Sequence, residues 1–578
     1  MAEGKLDRLG IASALRGMAR LLDLAGEAPF KVRAYDRAAQ ALERLGDDVG
    51  RLVEEDRLTK LHGIGPRLAA LISELYLTGS SQALEKLRRQ YPPGASELSR
   101  IPELGSKRIT AVSAAGIETI AELKEACEKG RLRAVKGIGK KAEQRILDRI
   151  RRLEGAPRVL LPEAADAAEE LLVYLRQAPG TVATGVAGGL RRCTETVDEL
   201  ALVLASTKPV AAANHVRSAG FLSAGERDGL VVRATLPEGL PVEVRVAAPR
   251  SYPTAMLFAT GTPAHVERLQ KLAAERRLRL EPSGLSRVAR ATPLSIESEA
   301  DVYRSLGLPP IPPELREDEG EIEAGLDGTL PDDLVSREDV LGMVHCHTVY
   351  SDGRHTVEQM AKAAEALGME YLTITDHSPT ASYAGGLSID RLKAQWEEIA
   401  RVQESVSVRL LRGSEVDILA DGALDYPDSV LEQLDIIIAS VHRRFRLDAA
   451  QMTRRLTRAM AHPCFKIWGH ALGRLVLSRP PIDCRVEEVL DVVAVSRAAV
   501  EINSDPRRLD MAPRWLRAAR ERDIRFVIST DAHAVADYRN LQYGIAMARR
   551  GWVRRGEVLN ALGAQAFARA VSPAGPEP

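Results

Sequence analysis

The apolar run VLGMV ends in HCHTVYSD, which puts His345, His347 and Asp352 within eight residues. A His-x-His pair at a strand end can turn both imidazoles to one side of a cation. The pattern recurs to the end of the chain. YLTIT leads into Asp376 and His377, VRLLRG into Glu415, LDIIIASV into His442, FKIWG into His470, and RFVIST into Asp531 and His533; AVEIN, from Ala499, is a further strand. One histidine at a strand end is more often a hydrogen-bonded, half-buried residue than a ligand. Six imidazoles and three carboxylates, all at strand ends, point instead to a metal site. Nine ligands exceed what one tetrahedral ion uses, so two or three clustered divalent cations with a bridging carboxylate are expected, and the donor mix suits Zn, Mn or Fe.

Between these strands lie segments of helical spacing, among them VEQMAKAAEALG, IDRLKAQWEEIARVQ and APRWLRAARERD. Strands alternating with helices predict a parallel barrel over 340–578, with the ligands converging on the mouth at the strand C-termini. Three or four domains are expected in 578 residues. Residues 1–85 and 86–152 show helical periodicity and three hairpin-like turns. LHGIGPRLAALI carries Gly63 and Gly65, LSRIPELGSKRITAV carries Glu103 and Gly105, and LRAVKGIGKKAEQRIL carries Gly137 and Gly139. Glycines ahead of a helix let backbone come close to a phosphate while the helix N–H groups face the anion. A C-cap and tight turn explain one such copy as well, but repetition favours gripping a DNA backbone. Around the third copy a basic run that includes Lys140, Lys141 and Arg145 faces only Glu143 and Asp148.

A fresh helix after Pro157 opens a domain over 153–316 containing strand, turn and strand in TVATGVAGGLRRCTETVDELALVLAS. Arg191 and Arg192 after Gly188 and Gly189 suit a triphosphate and suit ordinary surface charge equally well. Residues 317–339 are acidic and apolar-poor, and are expected to be a linker into the barrel, with a helix inside it as the alternative. The net charge is +0 with 28% charged residues, so nucleic-acid affinity has to come from local patches. Five scattered cysteines and the absence of a signal core or an 18-residue apolar run predict a cytoplasmic protein with no membrane association.

HCHTVYSDG, TDHS, GSEVDI, IASVH, GHALGR, EINSDPRRLD and STDAH together resemble the polymerase and histidinol phosphatase (PHP) domain. GGLRRCTETV resembles the palm motif of X-family DNA polymerases, with LFATGTPAHVERL, LEPSGLSR and VYRSLGLPPIPPELRED matching later parts of that core. The resemblance implies helix-hairpin-helix domains, an α+β nucleotidyltransferase-like palm and thumb, and a distorted (βα)7 PHP barrel. It also implies a partition of ligands: His345, His347, Glu415 and Asp531 on one ion, Glu415, His442 and His470 on a second, Asp352, His377 and His533 on a third. Glu415, as the bridging ligand, and His442 are the expected catalytic residues. The palm departs from the family, which places aspartates where this chain has Glu199, Ala201 and Glu243. Alanine cannot ligate a metal, and Gly189 replaces the usual serine. The expected protein is therefore a monomeric DNA-repair enzyme acting on gapped duplex or 3' ends as a metal-dependent 3'-5' exonuclease. Its nucleotide turn would be a remnant, with Mg or Mn serving any residual synthesis. A gap-filling polymerase and a histidinol-phosphatase-like enzyme are the alternatives.

Overall fold

The computed structural model describes residues 8–574 except 26, 28, 44–48, 62, 63, 93, 100, 102, 103, 155, 156, 221, 224, 225, 238, 290 and 291. Two compact units divide the chain: 1–157 with 217–226 and 233–242, and the remainder.

The first unit is helical through 157. Its helix Pro66–Thr78 starts on Gly65, with proline at the first position where no N–H is needed, and ends on Gly79 in the left-handed conformation. Helix Ser106–Ala114 likewise starts on Gly105, and helix Lys140–Glu154 follows Gly139. A Cβ added at Gly65, Gly105, Gly137 or Gly139 would meet nothing within 4 Å, and only Gly137, at φ 87°, has a backbone that itself favours glycine. Glu143 is turned inward, where it accepts from the Arg133 backbone and guanidinium, so it offsets Arg133 and leaves Lys140 and Arg145 without it as a partner. Lys140 is exposed. Gly63 and the Lys141 side chain lie outside the described residues.

In the second unit, strands Thr181–Val186, Leu200–Ser206 and Pro241–Ala247 are neighbours in the palm sheet. The expected linker at 317–339 is instead folded, with a helix over Glu321–Asp327. Glu321 is buried, accepts from the Asp318 and Glu319 backbones, and lies 2.5 Å from His265 Nδ1, while Ile322 joins the thumb core. Acidic composition misleads here because this carboxylate is satisfied inside the protein rather than by water.

The barrel strands are β1 (Gly342–Cys346), β2 (Tyr371–Ile374), β3 (Arg409–Asp417), β4 (Ile436–Ser440), β5 (Lys466–Trp468), β6 (Ala498–Asn503) and β7 (Phe526–Ser529). They pair in parallel and in sequence order, and a parallel bridge between Cys346 and Ala532 brings the last strand back to the first. Burial on both faces explains the unbroken apolar runs. Val344, Leu411, Ile436, Ile438, Ile467 and Val527 form one cluster with Phe567 from the helix Ala564–Ala570, whereas Ile437, Trp468, Phe526 and Ile528 pack in another with the flanking helices. This period of two leaves the strand C-termini as the open end.

Candidate metal centre

All nine predicted ligands lie at or just beyond the C-terminal ends of the barrel strands, and the fold brings their ligand atoms together. Three overlapping groups have ligand atoms within 4.8 Å of one another: His345, His347 and Asp531; His377, Glu415 and His442; and His347, Asp352, His377 and His533. Glu415 is central. Its Oε1 lies 3.1 Å from His442 Nε2 and 2.8 Å from His470 Nε2. Its Oε2 lies 3.5 Å from His345 Nε2, 3.6 Å from His347 Nε2 and 2.9 Å from His377 Nδ1. One buried carboxylate thus turns an oxygen to each of two imidazole groups, which is what a bridging ligand needs. Asp352 Oδ1 faces His377 at 3.6 Å and His533 at 3.3 Å. These groups differ from the partition implied by resemblance: His347 and His377 each belong to two of them, Glu415 is grouped with His377 and His442 alone, and His470 joins through its contact with Glu415 and not through a group.

Backbone geometry marks the same place. His345, His470 and Asp531 have φ of 62°, 24° and 47°. Left-handed backbone at non-glycine residues costs roughly 1–3 kcal/mol each and persists where the surroundings enforce it.

The donor set fits divalent cations. His345 Nδ1 is held by Glu501 at 2.5 Å, leaving Nε2 buried without a hydrogen bond; both nitrogens of His347 and Nδ1 of His470 are likewise buried without one. An unsatisfied buried polar atom costs about 1–3 kcal/mol, and a cation removes that penalty. Burial, with the nearby His533 and His377 rings, pushes His347 down to about 3, so it stays a neutral donor. Burial opposes charge on His377, but Glu415 and Asp352 outweigh it and raise this imidazole to about 10. His533 rises to about 9 against burial, through Asp352 and Asp531. Burial would raise Glu415, yet the surrounding imidazoles hold it well below the usual carboxylate range. In the absence of a cation these carboxylates therefore draw protons onto the imidazoles, and a metal would displace those protons.

Two acids orient imidazoles: Glu501 faces His345, and Asp417 lies 3.3 Å from His442 Nδ1. Asp376 does not act this way. It accepts from the Thr348 and Ser351 backbones, from both their hydroxyls and from Gln395, fixing the loop between His347 and Asp352. Two other histidines of this domain lie outside the three groups: His355 accepts from Val535 N, and His462 bridges Cys464 and Asp428. Arg508 was not singled out by its sequence, being one of two arginines in DPRRLD. Its Nε lies 3.2 Å from Asp531 Oδ2, which places a guanidinium beside the ligands.

In the palm, Ala201 faces the glycine turn, since a Cβ at Gly188 would come within 2.9 Å of its methyl. At Gly189 a Cβ would meet the Thr194 hydroxyl at 2.8 Å. Arg191 pairs with Glu299 at 2.5 Å and donates to Thr260, and Arg192 pairs with Glu317 at 2.8 Å and donates to the Thr260 carbonyl. Both arginines expected at a triphosphate are thus engaged with the thumb. Glu243 lies 3.0 Å from Arg245, and Glu199 precedes the strand that carries Ala201.

A parallel barrel whose mouth gathers histidines and carboxylates fit for divalent cations, joined to a polymerase-like palm, defines a two-module class of nucleic-acid enzyme. Comparison with known proteins agrees. The chain matches the helix-hairpin-helix domain over 8–81, the SAM-like helix-hairpin-helix tandem over 95–152, the DNA polymerase beta thumb over 255–317 and the PHP domain over 344–505. It is 33% identical over 554 residues to the DNA polymerase/3'-5' exonuclease PolX of Bacillus subtilis, covering 95% of this chain and 96% of that protein. It is also 28% identical over 228 residues to a probable phosphatase of Thermoanaerobacter sp., and 30% identical over 207 residues to one of Caldanaerobacter subterraneus, covering 37% and 33% of this chain and 88% and 76% of those proteins. The chain belongs to the PolX-type family of X-family DNA polymerases with a PHP domain. No helix among the described residues is long and apolar enough to cross a membrane.

Proposed function

We propose that this protein is a cytoplasmic, monomeric DNA-repair enzyme whose barrel is a divalent-metal-dependent 3'-5' exonuclease. Its polymerase module would hold DNA without extending it. The observation that carries the reading is the convergence of nine ligands around Glu415, three of them on left-handed backbone. Bound divalent cations, of Zn, Mn or Fe type, supply the Lewis acidity that phosphodiester hydrolysis requires.

The chain's own residues do the rest. Glu501 and Asp417 fix which nitrogen of His345 and of His442 faces inward. Asp376 fixes the loop that carries Asp352. Arg508, beside Asp531, is placed to meet a non-bridging phosphate oxygen. The hairpin glycines support DNA rather than a small phosphate ester as substrate. Gly65, Gly105 and Gly139 face open space with backbone that any residue adopts, so neither packing nor backbone geometry within the chain demands glycine there. Close approach of an external phosphate supplies a demand.

The test is a labelled gapped duplex incubated with each divalent metal, with and without nucleotides. Primer shortening by single nucleotides supports the reading. Lengthening favours a polymerase, and an inert primer alongside hydrolysis of small monoesters favours a phosphatase.

A further inference from the structure

Large aromatic side chains are seldom left in water, because burying one removes about 150–250 Å² of surface from solvent. Tyr383 is 65% exposed, and it sits at the mouth of the barrel. Its ring centroid lies 6.3 Å from that of His377 and 6.4 Å from that of His442, tilted to both. We propose that Tyr383 is the platform on which the unpaired base of the 3'-terminal nucleotide stacks while its phosphodiester lies in the metal centre. The proposal rests on the exonuclease reading, and it names the feature of substrate that the mouth selects: a nucleobase at the end being released.

The platform is held in place. Tyr383 occupies the short turn Ser382–Ala384, and Arg443, the residue after His442, donates to the Ser382 hydroxyl at 2.8 Å. Arg391 donates to the Gly385 carbonyl at 2.8 Å and also to the Tyr350 carbonyl, tying this turn to the loop between His347 and Asp352. Gly385 has φ of 73°, and a Cβ at Gly386 would stand 2.0 Å from the Ser378 carbonyl oxygen, so the chain is confined on both sides of the turn. Val349, on the tied loop, is also exposed. A single exposed apolar residue needs no explanation. An aromatic one braced by two arginines over two ligand imidazoles is different, because its separation from the ligands is of the order of that between a nucleobase and its own phosphate. Every base offers a π-face, so such a platform accepts any sequence.

The test compares kcat/KM with manganese for two single-stranded oligonucleotides that differ only in whether the 3'-terminal nucleotide carries a base or is abasic. The intact protein should prefer the base-bearing end by about tenfold. Tyr383→Ala should bring that ratio close to one, whereas Tyr383→Phe and Tyr383→Trp should keep it. Three results would overturn the platform alone: a ratio near one in the intact protein, an undiminished ratio in Tyr383→Ala, or loss of the ratio in Tyr383→Phe, which would assign the effect to the hydroxyl. If the intact protein degrades neither oligonucleotide, the exonuclease reading fails and the platform falls with it.

Discussion

Glu415 concentrates the argument at the scale of single residues, because each of its oxygens faces a different set of imidazoles. Ligands around a shared carboxylate act as a unit, so removing one should disturb the whole centre. His345→Ala and Asp531→Ala are each expected to lower the nuclease rate by about a thousandfold or more while leaving DNA affinity nearly unchanged, measured by single-turnover cleavage and by equilibrium binding. Full activity in either variant would remove that residue from the centre. A second residue speaks to pH. Lys466 is fully buried in β5 and donates to the Cys464 and His462 carbonyls; burial lowers it from 10.5 to about 8. The unfolded chain therefore binds the extra proton between about pH 8 and 10.5, so this residue makes stability rise with pH through that window, by roughly 3 kcal/mol in all. Denaturant unfolding of Lys466→Met should show that rise flattened, and an unchanged slope would mean that the ammonium is solvated. The nine candidate ligands were singled out from strand-end spacing. Which oxygen of Glu415 meets which ring was not legible there, and neither was the role of Asp376, because both depend on contacts across the barrel that no local pattern records.

At the scale of elements, the strands β1 to β7 were readable because parallel strands buried on both faces leave unbroken apolar runs, and their order followed from the alternation with helices. The helix Glu321–Asp327 was legible only as an alternative, for the opposite reason: its composition is that of a solvated segment, and the partnership of Glu321 with His265 shows why it folds. The helical hairpins lie between these cases. Their glycines were legible, whereas the inward turn of Glu143 toward Arg133, which decides which of the basic residues is neutralised, was not. If helix Lys140–Glu154 meets phosphates through its first turn, replacing Lys140 and Lys141 together should reduce the slope of log K against log salt by about two units, since each neutralised phosphate contributes about 0.9. Binding measured across a salt series gives the slope directly. A slope equal to that of the parent chain would reduce this run to a solvated face.

At the scale of the whole molecule, the palm and the barrel share a partly buried ion cluster. Glu195, three residues beyond Arg192, lies 2.7 Å from Arg550 and 3.4 Å from Arg474, four residues beyond His470. Burial would raise its carboxyl, but the two guanidinium groups hold it below the usual range. Both guanidinium groups hold this carboxylate, and withdrawing it would leave them unpaired, so Glu195 is not available to replace a missing palm ligand. Asp198, the other nearby acid, is largely exposed and lies 3.8 Å from Arg158. What remains is Glu199 and Glu243, whose extra methylene displaces a carboxylate by about 1.5 Å, and Ala201, whose methyl meets the glycine turn. Nucleotidyl transfer needs carboxylates that hold two ions in line with the 3'-hydroxyl, and losing a shared one costs on the order of several kcal/mol of transition-state stabilisation. Primer extension on a one-nucleotide gap is therefore expected to be slowed about a thousandfold or more relative to a competent polymerase, in magnesium and in manganese alike. The assay uses the Asp531→Ala chain, so that degradation cannot hide synthesis. Extension on the order of one nucleotide per second would show that another carboxylate completes the site, and that the palm is a working polymerase beside a working nuclease.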